Sequence, residues 1–437
     1  MTEANHENCC PLSAVDRRLQ DAHRCWHDAE RGYFDPEDFR VAIQAAIQTL
    51  RTVTFILQNN KRLFTNFDPW YELWQGRLRA DPLMCWMVNA RNKIEKQGDL
   101  EMHSFVRTEI LASYYEEGPR MEVPATLFQC PAQLIANIPT EALRNHIFKD
   151  GILRIQRRWV ENSLPDYELL DAAGIAYGKL AELVADAHKE LGLQPPSTMH
   201  CDIDRTKGSD QRGGRLPCMI GHGDTRTLNV WLATGQRMEI EQKVVNFDRE
   251  CAEQALEKYG LDPKEMYPTT DSTAEATLNS LFATAQKMFS VDCCHATIAF
   301  LLKGSYPVNM MQLDLQEHGE KYLVMRMLAN EVIKCDADGV ILVSEYWKAC
   351  YDPNNPYRRA AEASDRQEYL GATLVTKTGD PVHLCAQIVR TGDDVTIGNT
   401  HMLRNQAQIA FAPIYAAWGR EVPHAWIEVT KINDQCG

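Results

Sequence analysis

At 437 residues, with a net charge of −14 and a pI near 5.4, the chain is too long for one core and too acidic for unspecific attraction to phosphate backbones or anionic lipid. Its 44% hydrophobic and 24% charged residues exclude a disordered or collagen-like polymer. Fourteen cysteines are scattered without a CxxC pair, the opening MTEANHENCC shows no signal-peptide pattern, and no stretch reaches the roughly 18 apolar residues that span a bilayer, so a soluble, cytoplasmic chain with reduced thiols and no membrane partner is expected.

Three Asp-Pro pairs, Asp35-Pro36, Asp68-Pro69 and Asp81-Pro82, each fit a helix start, with Asp accepting orphan N–H groups and Pro at the first helical position. With the apolar spacing that follows, they predict helices over 14–31, 36–61, 69–77 and 82–96, the last stopped by Gly98. The next stretch changes to short strands, at His103–Leu111, Met121–Phe128 and Gly151–Gln156. A helix over 166–191 then carries Leu169, Ala173, Ala176, Leu180, Leu183, Ala187 and Leu191 in steps of three and four. That seam packs within its own domain or across a homodimer.

Residues 195–217, rich in Pro, Gly, Ser and charge, read as a linker. Beyond it the pattern gives a strand over 227–245, helices over 248–260 and 271–289, and a strand over 296–303. A nearly all-apolar helix over 319–335 precedes strands at 339–348, 368–377 and 381–390, and such a helix belongs against a sheet. Turns such as Thr378-Gly379-Asp380 imply antiparallel pairing. The expected fold is α+β or mixed α/β in two domains: a mainly helical bundle over 1–194 and a sheet-containing domain over 218–437.

The sharpest local feature is Trp86-Met-Val-Asn-Ala-Arg91-Asn92-Lys-Ile-Glu-Lys96-Gln-Gly98. An Arg-Asn pair near the end of an amphipathic helix resembles the Arg-x4–6-His signature of HEPN-domain proteins, which are all-helical, often dimeric, and in many cases metal-independent RNases. The resemblance implies that Arg91 steadies a phosphate, that Asn92 supports it, and that Lys96 stands where the family carries its histidine. A lysine, with a reference pKa of about 10.4, shuttles protons poorly near neutrality, which favours binding over cleavage.

Other constellations are looser. Arg154 and Arg158 would share a face of a strand beside Trp159, enough for a modest phosphate contact with stacking. His200, Asp202 and Asp204 lie on one side of an extended segment and form an alternative cation site, with His222 and Asp224 near in sequence. Ser344 and Glu345 end one strand, while Asp365, Arg366 and Glu368 open the next, so a site built where strands end is expected there, with 351–359 as a loop over it. Cys293-Cys294-His295 reads as core and cap. No GxxxxGK[ST], GxGxxG after a strand, GxSxG or HExxH occurs, so no cofactor or resident metal is expected. The functional expectation is a soluble bacterial-type binding or regulatory protein with a HEPN-like nucleotide- or RNA-binding module. The alternatives are a metal-independent RNase of a toxin or defence system, or an enzyme with its site in the C-terminal domain.

Overall fold

The computed structural model describes residues 10–114, 128–138, 145–194, 213–238, 249–262, 273–315, 317–350, 352–355, 358–392, 394–405 and 409–422. The chain forms two compact units. One comprises Met1–Glu109, Met121–Ala142 and Leu153–Met238, the other Ile110–Arg120, Leu143–Ile152 and Glu239–Gly437.

The first unit opens with four helices, α1 (Ser13–Arg31), α2 (Pro36–Asn59), α3 (Phe67–Ala80) and α4 (Pro82–Gln97). Two of the three Asp-Pro pairs cap as expected. Asp35 accepts the N–H groups of Glu37 and Asp38 at 3.2 and 3.3 Å, and Asp81 those of Leu83 and Met84 at 2.9 and 3.2 Å. Asp68-Pro69 differs: α3 begins two residues earlier, at Phe67, so Asp68 lies within the first turn and serves the helix dipole instead of capping. The helix also runs on past Gly76 to Ala80.

The segment α7 (Leu169–Glu190) buries its seam inside this unit, against α1, α2 and α4. Leu169, Ala173, Ala176, Leu180, Leu183 and Ala187 are all buried there, so the seam is filled without a second copy of the chain. Glu168 caps α7 from a buried position, accepting the N–H of Asp171 at 2.8 Å and the hydroxyl proton of Tyr33 at 3.1 Å. A four-stranded sheet runs in the order β1 (Met102–Leu111), β2 (Ile152–Glu161), β3 (Arg226–Trp231), β4 (Arg237–Met238). The single strand expected over 227–245 is a hairpin: Gly235, at φ +68°, lets the chain reverse, and its N–H donates to the Trp231 carbonyl at 2.7 Å. Two short helices, α5 (Pro131–Ala136) here and α6 (Asn145–Asp150) in the second unit, carry no sequence signal long enough to announce them. The strand expected at Met121–Phe128 falls almost wholly outside the described residues, as do residues 195–212 of the linker expected over 195–217.

The second unit is built on an antiparallel sheet in the order β10 (Asp394–Ile397), β9 (Val382–Thr391), β8 (Gln367–Thr376), β7 (Gly339–Lys348), β5 (Thr297–Lys303), β6 (Tyr306–Leu313), with β11 (His401–Arg404) also pairing β9. Strand alternation gives it two apolar faces. On one, Ile341, Val343, Leu370, Ala372 and Leu384 pack against Leu278, Phe282 and Phe289 of α9 (Ala274–Asp292), which Thr273 caps. On the other, Leu301, Val340 and Val375 meet Met325, Leu328 and Val332 of α10 (Glu320–Lys334), together with Phe411 and with Ile414 of α11 (Ala412–Ala417). The apolar helix is thus packed on a sheet to which the strands after it contribute. Another helix, α8 (Arg249–Tyr259), precedes α9. The protein is therefore α+β in two parts, helices up to Gln97 and an antiparallel sheet region toward the C-terminus. No described helix is long and apolar enough to cross a membrane.

Candidate functional site

Along the α10 face of the sheet the apolar row gives way to polar residues. Val340 and Leu342 of β7 are followed on the same side by Ser344, Tyr346 and Lys348, opposite Gly371 and Thr373 of β8 and next to His383 of β9. They line a cavity of about 500 Å³, walled by Val324, Met325 and Phe411 and edged by Lys321 from the first turn of α10.

Register explains the arrangement at its floor. Thr373 pairs with His383 and Ser344 with Gly371, placing a bare backbone beside two rings. A Cβ on Gly371 would come to 2.6 Å from Tyr346 Cε1 and 2.9 Å from His383 Cε1, so only glycine leaves them room. The Tyr346 hydroxyl then lies 2.9 Å from His383 Nε2, and the Thr373 hydroxyl 2.8 Å from His383 Nδ1. Burial lowers the His383 pKa to about 4, with Lys348 adding to the effect, so the ring is neutral near pH 7. Burial also pushes the Tyr346 phenol well above its ordinary range.

The charges are unbalanced. Lys321 and Lys348 are both solvent-exposed at the rim, and among the described residues no carboxylate lies within ion-pair distance of either. Packing around the Lys321 stem lowers its pKa. The acid in the lining, Glu345, is engaged: it accepts the His295 N–H and stands 3.6 Å from Arg390, which also pairs with Glu368 at 2.7 Å. Two open cations above a set of hydroxyls favour an anion.

Of the residues expected at this end of the sheet, Ser344 and Glu345 line the cavity and Asp365 and Arg366 do not. Asp365 accepts the Cys350 N–H at 2.9 Å, while Arg366 lies over the Trp347 ring at 4.7 Å. Cys293 ends α9 in a left-handed conformation, and the His295 ring donates its Nδ1–H to the Ala296 carbonyl next to it. Sequence reasoning passed over Lys321, Lys348, Thr373 and His383, which lie on four separate elements. The only local sign was polar residues alternating with apolar ones in strands otherwise buried on both faces.

In the helical unit, Arg91 forms an ion pair with Glu95 at 2.6 Å and donates to the Asn92 side chain at 3.2 Å, and Lys96 is exposed one turn away. The Arg91 guanidinium is thus turned along its own helix and not toward a shared pocket with Lys96. Arg154 is held by Glu109 at 2.9 Å, and Arg158 donates to the Pro165 carbonyl at 3.3 Å. Trp159 is fully buried, stacked on Phe39 at 4.9 Å, so it offers no face to a base. His200, Asp202 and Asp204 lie outside the described residues. A second hollow, of about 400 Å³, opens between α2, α3 and α4. Arg51, over the Phe55 ring at 4.3 Å, and Arg79 line it, and among the described residues neither has a carboxylate partner.

This is a two-unit α+β protein whose antiparallel sheet carries a cation-rimmed, hydroxyl-lined cavity on one face. Residues 4–431 match the family model described as bacteriophage lambda protein ea47, and the chain belongs to that family. It is similar to "Protein ea47" of Escherichia phage lambda, with 29% identity over 365 residues that cover 82% of this chain and 85% of the relative. No solved structure matches the chain. A family that spans nearly the whole chain overturns the HEPN reading of its first part: the Arg91-Asn92 pair belongs to a phage ea47-like fold, and the short pattern that carried the resemblance is an ordinary basic helix end.

Proposed function

We propose that the protein is a binding or regulatory protein whose sheet unit holds a small anionic molecule. The observation that carries this reading is the pair Lys321 and Lys348, two cations without carboxylate partners among the described residues, over a cavity of about 500 Å³, in a chain whose net charge is −14. A negative group would meet the two ammonium ions at the rim, and Ser344 supplies a hydroxyl deeper in. The apolar side chains Val324, Met325 and Phe411 would take the body of the ligand.

Binding is favoured over catalysis by the state of His383. Both of its ring nitrogens are hydrogen-bonded, to Tyr346 and Thr373, and its pKa of about 4 makes it a weak base at neutral pH. The histidine thus serves to fix the floor of the cavity.

The test is a thermal-unfolding screen of the full chain with inorganic phosphate, pyrophosphate and citrate, beside the double variant Lys321→Ala/Lys348→Ala. A bound anion at 100 times its Kd stabilises the folded state by about 2.7 kcal/mol. At least one anion should raise the midpoint of the parent, and the double variant should lose that rise. An equal rise in both proteins, or none in either, sinks the reading.

A further inference from the structure

Three side chains of metal-ligating type meet in the helical unit. His23 and His27 are four residues apart on α1, so their rings share one face of the helix. Cys218 comes from the single 3₁₀ turn Pro217–Met219, 195 residues further along, where it is buried. His23 Nε2 stands 3.2 Å from Cys218 Sγ, and one donor atom from each of His23, His27 and Cys218 lies within 4.8 Å of the other two. Around a tetrahedral zinc with bonds of about 2.0 to 2.3 Å, neighbouring donors sit roughly 3.3 to 3.8 Å apart. The three side chains are therefore close to a coordinating arrangement before any ion is added.

The surroundings are those of a ligand set. His27 Nδ1 is 3.0 Å from Glu30 Oε2, the carboxylate–imidazole contact that fixes a ring's tautomer and leaves Nε2 for a metal. Glu30 is in turn held by Arg226 at 3.0 Å. His222 Nε2 lies 2.7 Å from the Cys218 carbonyl and pins the turn that carries the thiol. A pair of core histidines serving packing alone would each face a strong protein acceptor. Here the His23 ring nitrogen faces sulfur, a weak hydrogen-bond partner, and the two imidazoles are pressed to 4.6 Å between centroids.

We propose that His23, His27 and Cys218 bind a divalent zinc-type ion, with the fourth position left to water, and that the ion clamps α1 to the 217–219 turn. Imidazole and thiolate select zinc-like ions over calcium or magnesium, which take oxygen donors. A half-buried site gives the ion a way in from solvent. A second group, Cys10, Asp16 and His188, also converges, but there His188 Nε2 lies 3.2 Å from Asp16 in a plain buried Asp–His pair, and it serves as the internal control.

The full chain, purified without chelator, is assayed for zinc by elemental analysis, then stripped and titrated with Co²⁺. About one zinc per chain is expected, and the cobalt form should show thiolate-to-metal charge transfer with the visible bands of a tetrahedral site. Cys218→Ala should abolish the charge transfer, and Cys10→Ala should leave it intact. Glu30→Gln keeps all three ligands and should weaken cobalt binding by about 10- to 100-fold. A parent protein with neither zinc nor charge transfer overturns the proposal, whatever the variants do. So does a band that survives Cys218→Ala or disappears in Cys10→Ala.

Discussion

Single residues do the placing in the sheet cavity. Gly371 makes space for two rings, and the rings then bond each other. His383 ties this geometry to pH. Its folded pKa of about 4 lies below the ordinary value of 6.5, so the unfolded chain takes up the proton first as pH falls. Stability should be unaffected above about pH 6.5 and should fall between there and about pH 4, by on the order of 3 kcal/mol for this group. His383→Gln should flatten that part of the stability-versus-pH curve measured by chemical denaturation. An unchanged slope would mean that the ring is protonated in the fold. Ser344 and Glu345 could be picked out in the sequence because they sit at the end of a plainly apolar strand. His383 could not: it falls in a run of buried residues, and its meaning comes from Tyr346, 37 positions away, and from a register that no local pattern records.

Among the elements, the helices were the most legible because cap, spacing and stop agree. Asp81 shows what a cap contributes. It accepts two backbone N–H groups of α4 and also pairs with Lys179 of α7, so Asp81→Ala should cost about 1 to 2 kcal/mol. Asp68→Ala, in the first turn of α3 but not at its cap, should cost only a few tenths. Thermal unfolding of the two variants side by side checks the contrast, and equal losses would refute it. Strands were less legible at the edges. β6, absent from the expected strands, follows a two-residue Gly304-Ser305 turn with Gly304 at φ +63° and contains Pro307, because an edge strand tolerates proline and leaves alternate side chains in water. β10 and β11 are four residues each, too short to show a period. Glu168 shows a different limit. A glutamate before a helix reads as a surface cap, yet this one is buried, and burial with Asp171 beside it raises its pKa to about 7.

On the scale of the whole molecule, each unit has its own core, and the metal-type cluster and the anion-type cavity lie in different units. The two proposed ligands can therefore be removed and restored separately, and neither experiment above depends on the other. The acidic total charge had argued against polyanion surfaces but could not reveal local cations such as Lys321 and Lys348, because a sum carries no positions.

The strand order also sets how the sheet breathes. β8 is bonded along its length to β7, from Gly339↔Thr376 to Lys348↔Gln367, and from Glu368 to Leu374 it is bonded to β9 on its other side as well. It lies between two apolar faces. Its amides from Leu370 to Leu374 can exchange with deuterium only when a neighbouring strand detaches, whereas β6 pairs among the described residues with β5 alone and has an exposed alternate row. In exchange followed by mass spectrometry, peptides from β8 should be the last of the sheet to take up label and those from β6 among the first. The cavity floor at Gly371 and Thr373 is built on that slow strand, while Lys321 sits on the first turn of a separate helix, so base and charged rim come from different elements.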